Sequence, residues 1–320
     1  MGMRIAAIDI GTVTSRLFIA DVDASGVRAV RRMSAITNLG EGVDASGLLS
    51  TEAIERTVAQ VAVYRREIDA VSAQRPVDRI VALATSASRD AHNAGEFVGR
   101  LREVGVELSV IPGEREAELS FLGASNDFRG EELLFADIGG GSTELVFGRA
   151  DGDASELVPR ITLHAAHSFD IGCRRMTERF LSAGDPPSEA DLGRARAWAL
   201  DLLAPFFEGT HAPKRLVAVA GTPTSVVAVR DALVPYDSSR VHGQHVSRAQ
   251  FDQVARRMCE LPLARRREVA GLQPKRAGVF PAGLVILGAV MDLAGIDGFT
   301  ASESDILCGI VLDAARAAHL

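Results

Sequence analysis

Two segments of this chain join an acidic side chain to a turn suited to anions. Ile8-Asp9-Ile10-Gly11 runs into Thr12-Val13-Thr14-Ser15 and then the apolar Leu17-Phe18-Ile19. Ala136-Asp137-Ile138-Gly139 runs into Gly140-Gly141-Ser142-Thr143 and then Leu145-Val146-Phe147. Glycine lets backbone N–H groups approach an anion closely, and hydroxyls add further donors. The aspartate at each strand end offers a hard oxygen to Mg²⁺, directly or through water. Either segment alone reads equally well as an ordinary hairpin turn. Their repetition 128 positions apart (137 − 9) favours a grip on phosphate and its counter-cation. The chain has no GxxxxGK[ST] P-loop and no GxGxxG fingerprint.

Other reactive side chains form weaker patterns. His164 with His167, and His242 with His245, are three apart, a metal spacing on a helix. Neither pair has HExxH form, and His164 falls on an expected strand. Cys173, Cys259 and Cys308 are widely spaced, with no CxxC pair. That usage suggests a reducing compartment without a disulfide framework or Cys-based zinc site. No Ser-His-Asp or Cys-His arrangement suggests covalent catalysis.

The elements that must carry the two turns follow from periodicity. Apolar runs place strands at 4–9, 15–22 and 27–35, a long amphipathic helix at 51–73, a strand at 79–84 and a helix at 91–104. A strand at 106–111 and a helix at 114–125 complete a β-β-β-α-β-α-β-α half. The second half opens the same way, with strands at 132–137, 142–149 and 157–164. A helical stretch from about 173 to 207, broken by Gly184, Pro186 and Pro187, comes next. A strand at 215–220, helices at 223–233, 248–261 and 282–293, a strand at 298–301 and a last helix at 305–318 finish the chain. Asn126–Gly130 reads as the domain junction, giving domains 1–128 and 129–320, with the last helix able to pack back on the first.

Composition sets outer bounds. The 320 residues suit two domains with separate cores. A net charge of −7, from 35 basic and 42 acidic side chains, argues against a nucleic-acid coat. Only Lys214 and Lys275 are lysine, so arginine dominates the basic set. The longest apolar run, 279–296, contains Pro281 and Asp292 and is short for a spanning helix. No basic stretch followed by an apolar core opens the chain, which reads as cytoplasmic and free of the membrane.

The chain resembles the exopolyphosphatase/guanosine pentaphosphate phosphatase family, a short form without C-terminal helical domains. Residues 7–12 with Arg16-Leu17 match its first phosphate motif, and residues 137–145 match its most specific block. Leu39-Gly40-Glu41-Gly42-Val43-Asp44, residues 84–91, Gly113 with Glu116-Ala117, Gly221-Thr222 and Val241-His242-Gly243 follow in family order. The resemblance implies an α/β fold of two actin-like, ribonuclease H-like domains facing a central cleft. It implies that Glu116 orients the attacking water, and that Glu144 and Asp137 are catalytic carboxylates. Asp9, Asp137 and Glu144 would hold Mg²⁺ or another divalent cation. Phosphate contacts would come from Gly11, Thr12, Thr14, Ser15, Arg16, Arg89, Gly139, Gly140, Gly141, Ser142, Thr143, Gly221 and Thr222.

The implied activity is exopolyphosphatase: hydrolysis of terminal phosphoanhydride bonds of inorganic polyphosphate, with a preference for short chains. Hydrolysis of pppGpp at its 5′ phosphate is the same chemistry and the first alternative. An actin-like ATPase or kinase, and a non-catalytic phosphate sensor, are alternatives of other classes. A homodimer is the implied assembly. Four positions depart from the family pattern: Val13 for Asn, Arg115 for an acidic residue, Gly278 for Asp, and Cys308 near an acidic position. They bear on rate and substrate preference and leave Asp9, Glu116, Asp137 and Glu144 in place.

Overall fold

The structure is a computed structural model that describes residues 2–153, 156–209 and 215–318. The chain opens with β1 (Met3–Ile10), β2 (Thr14–Asp23), β3 (Gly26–Ile36), α1 (Val43–Ser46) and α2 (Thr51–Ser72). Next are β4 (Arg79–Ala84), α3 (Ser86–Asp90), α4 (Ala94–Glu103), β5 (Leu108–Val110) and α5 (Gly113–Ser125). A second series begins with β6 (Glu132–Ile138), β7 (Thr143–Asp151), β8 (Arg160–Phe169), α6 (Cys173–Met176) and α7 (Glu189–Phe207). It continues through β9 (Leu216–Val219), α8 (Gly221–Arg230), α9 (Ser238–Val241), β10 (His245–Ser247) and α10 (Arg248–Glu260). The last elements are α11 (Leu263–Arg266), α12 (Phe280–Ala294), β11 (Gly298–Ala301) and α13 (Ile306–Ala317).

Two mixed sheets result, ordered β3-β2-β1-β4-β5 and β10-β11-β9-β6-β7-β8. In the first, β1 is antiparallel to β2 and parallel to β4. In the second, β6 and β11 are both parallel to β9, and β10 adds an antiparallel edge to β11. Numbered within each half, the first sheet runs 3-2-1-4-5 and the second 3-2-1-4-6-5, so both share the 3-2-1-4 arrangement of the actin-like, ribonuclease H-like α/β fold, with β10 as an outer edge on β11. Both copies place an Asp–Gly turn where the first strand hands over to the second.

The chain divides into two compact units. One comprises Met1–Glu131, Arg149–Thr162 and Asp305–Leu320; the other comprises Glu132–Gly148 and Leu163–Ser304. The expected domains, 1–128 and 129–320 with the last helix able to pack back on the first, differ from this division in the boundary after Glu131 and in the segment Arg149–Thr162. Residues around 150–157 join the first unit because the Gly130 N–H donates to the Ala150 carbonyl at 2.8 Å. The Arg129 guanidinium also gathers the carbonyls of Asp153, Glu156 and Leu157. Helix α13 joins it by burying an apolar stripe.

Alternation along β1 and β2 supplies both faces of the first sheet, as strand geometry requires. Ala6, Ile8, Ile10, Leu17 and Ile19 pack with α2 residues Ile54, Val58, Val61 and Tyr64. Ile5, Ala7, Phe18, Ala20 and Val22 pack with Ile306, Leu307, Ile310, Val311 and Ala315. Tyr64 is fully buried, and its phenol donates to the Ser15 carbonyl at 2.7 Å, tying α2 to the first turn. In the second unit, α12 is buried on most sides by Phe280, Leu284, Ile286, Leu287 and Val290. Among the described residues no helix is long and apolar enough to cross a membrane.

One buried ion pair braces β1 against β2. Arg4 donates from Nε and Nη2 to the two carboxylate oxygens of Asp21 at 2.8 and 3.0 Å. Arg28 and Arg75 also reach this carboxylate, at 3.1 and 3.0 Å. The Arg4 hydrogen bonds hold the Asp21 carboxyl down at about 2. The unfolded value is about 3.9, so the ionised pair contributes ~2 kcal/mol, present above pH 4 and lost as pH falls towards 2. Asp21→Asn therefore lowers urea-unfolding stability by about 2 kcal/mol at pH 7. The gap from wild type closes as the pH drops below 4; a gap independent of pH contradicts the assignment.

Candidate active site

The two turns share a geometry. The Gly11 N–H donates to the Thr14 carbonyl at 3.0 Å, and the Gly139 N–H donates to the Ser142 carbonyl at 3.0 Å. At the first turn, the Thr12 carbonyl accepts from the Gly40 N–H at 2.9 Å. Gly40 lies so close to the side chains of Thr12 and Ala87 that no Cβ fits there. The segments 39–44 and 84–91 thus meet at the turn, which explains a glycine at 40. Val13 is buried, and its carbonyl accepts from the Thr37 and Asn38 N–H groups at 3.0 and 2.9 Å.

Thr14 opens β2 and is half-buried. The Ser15 hydroxyl is fully buried and shares a 2.9 Å hydrogen bond with the Thr37 hydroxyl. Its counterpart Thr143 is equally buried and donates to the Ile171 carbonyl at 2.6 Å. Both hydroxyls are thus engaged inside the fold, where they shape the turns. Around the second turn, the Gly139 and Gly140 carbonyls accept from the N–H groups of Cys173 and Arg174 at 2.9 and 2.8 Å. Arg175 donates from Nε to the Gly141 carbonyl at 2.8 Å. Gly172 presses on the backbone of Gly140 and Gly141 and leaves no space for a Cβ.

Asp9 and Arg16 are register partners on β1 and β2. Arg16 donates to Asp9 Oδ2 from Nε at 3.0 Å and Nη2 at 2.6 Å, and its Nη1 reaches Asp305. Burial raises the Asp9 pKa and Asp305 adds to that, while Arg16 opposes it. Glu116 stands in the first turn of α5, 8% exposed, and Arg89 lies in the last turn of α3. Arg89 donates from Nη1 to Glu116 Oε2 at 2.5 Å and to the Ile111 carbonyl at 3.2 Å. The charge-assisted contact fixes the carboxylate's orientation. Asp9, Arg16, Arg89 and Glu116 all belong to the first unit.

In the second unit, Asp137 is the penultimate residue of β6 and Glu144 is the second residue of β7, both buried. The Ser168 hydroxyl donates to Glu144 Oε1 at 2.7 Å. Gly221 and Thr222 form the start of α8. The Arg276 guanidinium lies directly against Gly221, and Gly283 of α12 lies against Thr222. A Cβ at Gly221 would displace the flexible end of the Arg276 side chain, and one at Gly283 would press on the Thr222 side chain.

The histidine pairs lie elsewhere. His164 and His167 are on β8, where odd spacing sends side chains to opposite faces. His164 meets Glu132 at 3.0 Å and His167 stacks edge-on against Phe169. His242 Nδ1 accepts from the Glu303 N–H at 3.2 Å. Among the described residues, no three His, Cys, Asp or Glu side chains cluster as a metal cage. Mg²⁺ commonly takes one or two carboxylates and draws its other ligands from water and substrate phosphate. The hard-oxygen pair Asp137 and Glu144, flanking the second turn, fits that mode. At Asp9, Oδ2 already receives two N–H groups from Arg16.

Sequence reasoning missed Asp305, Ser168 and the arginines Arg174, Arg175 and Arg276. For Asp305 the signal was a capping residue type directly before a helical apolar pattern. Nothing in the local sequence connects Ser168 to Glu144, 24 positions away.

Duplicated sheets that each open on an Asp–Gly turn define a protein of the actin-like class. A family model for the Ppx/GppA phosphatase family matches residues 18–316, and the chain belongs to that family. It is 36% identical to exopolyphosphatase 2 of Mycobacterium tuberculosis (strain ATCC 25618 / H37Rv) over 330 aligned positions, covering 98% of each. It is also similar to the crystal structure of an exopolyphosphatase-like protein, at 36% identity and a TM-score of 0.88, covering 100% of this chain and 99% of that one. An exopolyphosphatase structure from Cytophaga hutchinsonii ATCC 33406 aligns at 25% identity and a TM-score of 0.84, covering 98% of both.

Proposed function

We propose that this protein is an exopolyphosphatase, releasing orthophosphate from the ends of inorganic polyphosphate and favouring short chains. The full-length likeness to exopolyphosphatase 2 carries the reading of the substrate. The mechanism draws its support from Glu116, buried and held by Arg89. Glu116 orients water and takes its proton as the new P–O bond forms to the terminal phosphorus. The P–O bond to the remaining chain breaks, and its electron pair leaves with the shortened polyphosphate. Arg89 shares its guanidinium between Glu116 and the terminal phosphate oxygens. Backbone N–H groups of the Gly11 and Gly139 turns, with Arg16, Thr12, Ser142, Gly221 and Thr222, bind phosphate in their respective units. Asp137 and Glu144 would hold Mg²⁺ at the second turn, where it would supply charge neutralisation on phosphate oxygens.

The test is phosphate release with Mg²⁺ from polyphosphates of defined length, pppGpp and ATP. Fastest turnover of short polyphosphate is expected. Preferential cleavage of pppGpp moves the assignment to the pentaphosphate, and ADP formation from ATP alone moves it to an ATPase. Tight polyphosphate binding at background turnover makes the protein a sensor.

A further inference from the structure

We propose that Asp305 is a positioning residue that holds Arg16 against Asp9 at the first phosphate turn. The proposal rests on the phosphohydrolase reading above. Asp305 lies in the link between β11 and α13, 289 residues from Arg16, and is 6% exposed. Its two carboxylate oxygens have separate tasks. Oδ1 accepts the Leu307 N–H at 3.0 Å, capping α13, while Oδ2 accepts from Arg16 Nη1. A helix N-cap is a fixed point, because its side chain satisfies a backbone donor that otherwise has no intrahelical partner.

The guanidinium therefore sits between two carboxylates on different elements. Asp9 receives Nε and Nη2, and Asp305 receives Nη1. A planar fork held by one carboxylate alone can still pivot; a second anchor on another element removes that freedom. The anchor is itself braced. Gly123 of α5 lies against the Asp305 carbonyl, and Gly309 of α13 lies against the Leu119 carbonyl, with no room for a Cβ at either position. Helix α5 also carries Glu116, seven residues before Gly123 and so about two turns along the same face. The start of α13 thereby ties the Arg16–Asp9 pair to the helix bearing the proposed water-orienting carboxylate.

The experiment is a double-mutant cycle of Asp305→Asn with Arg16→Gln, read by polyphosphate kinetics, thermal melting and NMR of the Arg16 guanidinium. Asparagine keeps the size and the capping oxygen and removes the charge. In Asp305→Asn, kcat is expected to fall about tenfold with KM within about threefold and the thermal midpoint within about 2 °C of wild type. In the Arg16→Gln background the same change is expected to cost no further activity. Unchanged kcat, or a loss of full size in both backgrounds, overturns the proposal. If Asp305→Asn does not fold, Asp305→Ser, which also keeps a capping oxygen, takes its place. If the wild type releases no phosphate at all, the functional reading falls, and the guanidinium signals decide the role of Asp305. Resolved, slowly exchanging Nη1 protons that average out in the variant support it, and an unaltered pattern refutes it.

Discussion

Glu116→Gln cuts kcat for phosphate release from short polyphosphate by about 10²–10⁴-fold, the usual range for removing a positioned general base. Glutamine has the same size, and its amide oxygen can still accept the Arg89 hydrogen bond seen at 2.5 Å. Folding and phosphate binding are therefore kept, with KM within a few-fold and the melting curve unchanged. The carboxylate's ability to accept the proton of water is what disappears. Steady-state kinetics with Mg²⁺ provide the measurement. A variant with wild-type kcat would mean that Glu116 is an ordinary acidic residue at a helix start, favoured there by the helix dipole.

Arg266→Met lowers the stability of the second unit by about 3–5 kcal/mol, through buried carbonyls left without a donor. Arg266 is 3% exposed, and burial depresses its pKa, yet its nearest carboxylate, Asp185, is 3.9 Å away. The charge is instead spread over three backbone carbonyls. Nε donates to Met258 at 2.9 Å, Nη1 to Ala277 at 2.8 Å and Nη2 to Leu261 at 2.7 Å. Met258 is in the last turn of α10 and Leu261 is its C-cap, so Arg266 supplies donors that the helix end lacks. Ala277 follows Arg276, whose guanidinium rests on Gly221, so the same substitution loosens the start of α8. Calorimetry should show a midpoint lower by about 10 °C. A shift under about 2 °C would mean that water replaces the guanidinium without cost.

The two glycine turns were legible as turns because residue type encodes them directly. Glycine and hydroxyls after a strand-ending aspartate state both the bend and the donors, and the repeat shows that the bend is used twice. The paired opening strands were legible for a similar reason: β1 and β2 alternate cleanly between two cores. Roles that depend on remote partners were not. Glu116 reads locally as a helix-start acid, and its link to Arg89 spans 27 residues. The strand expected at 157–164 instead forms as β8 (Arg160–Phe169), since Arg129 captures the Leu157 carbonyl. The short β10 and α3 lacked enough residues to show a period. Ser15 and Thr143 looked like phosphate donors by type, whereas their hydroxyls are occupied by Thr37 and by the Ile171 carbonyl.

The first unit is closed by a helix that the ribosome makes only after the second unit. Ile5, Ala7, Phe18, Ala20 and Val22 share a core with Leu83, Ile111 and Leu119 and with Ile306, Leu307, Ile310, Val311, Ala314 and Ala315 of α13, so this apolar face lacks much of its native cover until residues beyond 305 emerge. At about 5–20 residues per second, synthesis from Glu131 to Asp305 takes roughly 10–35 seconds. Throughout that interval the nascent chain displays a sticky sheet while the second unit is being assembled. The proposed Arg16 clamp arrives with the same late helix, so the turn after Asp9 matures only once the second unit has been made.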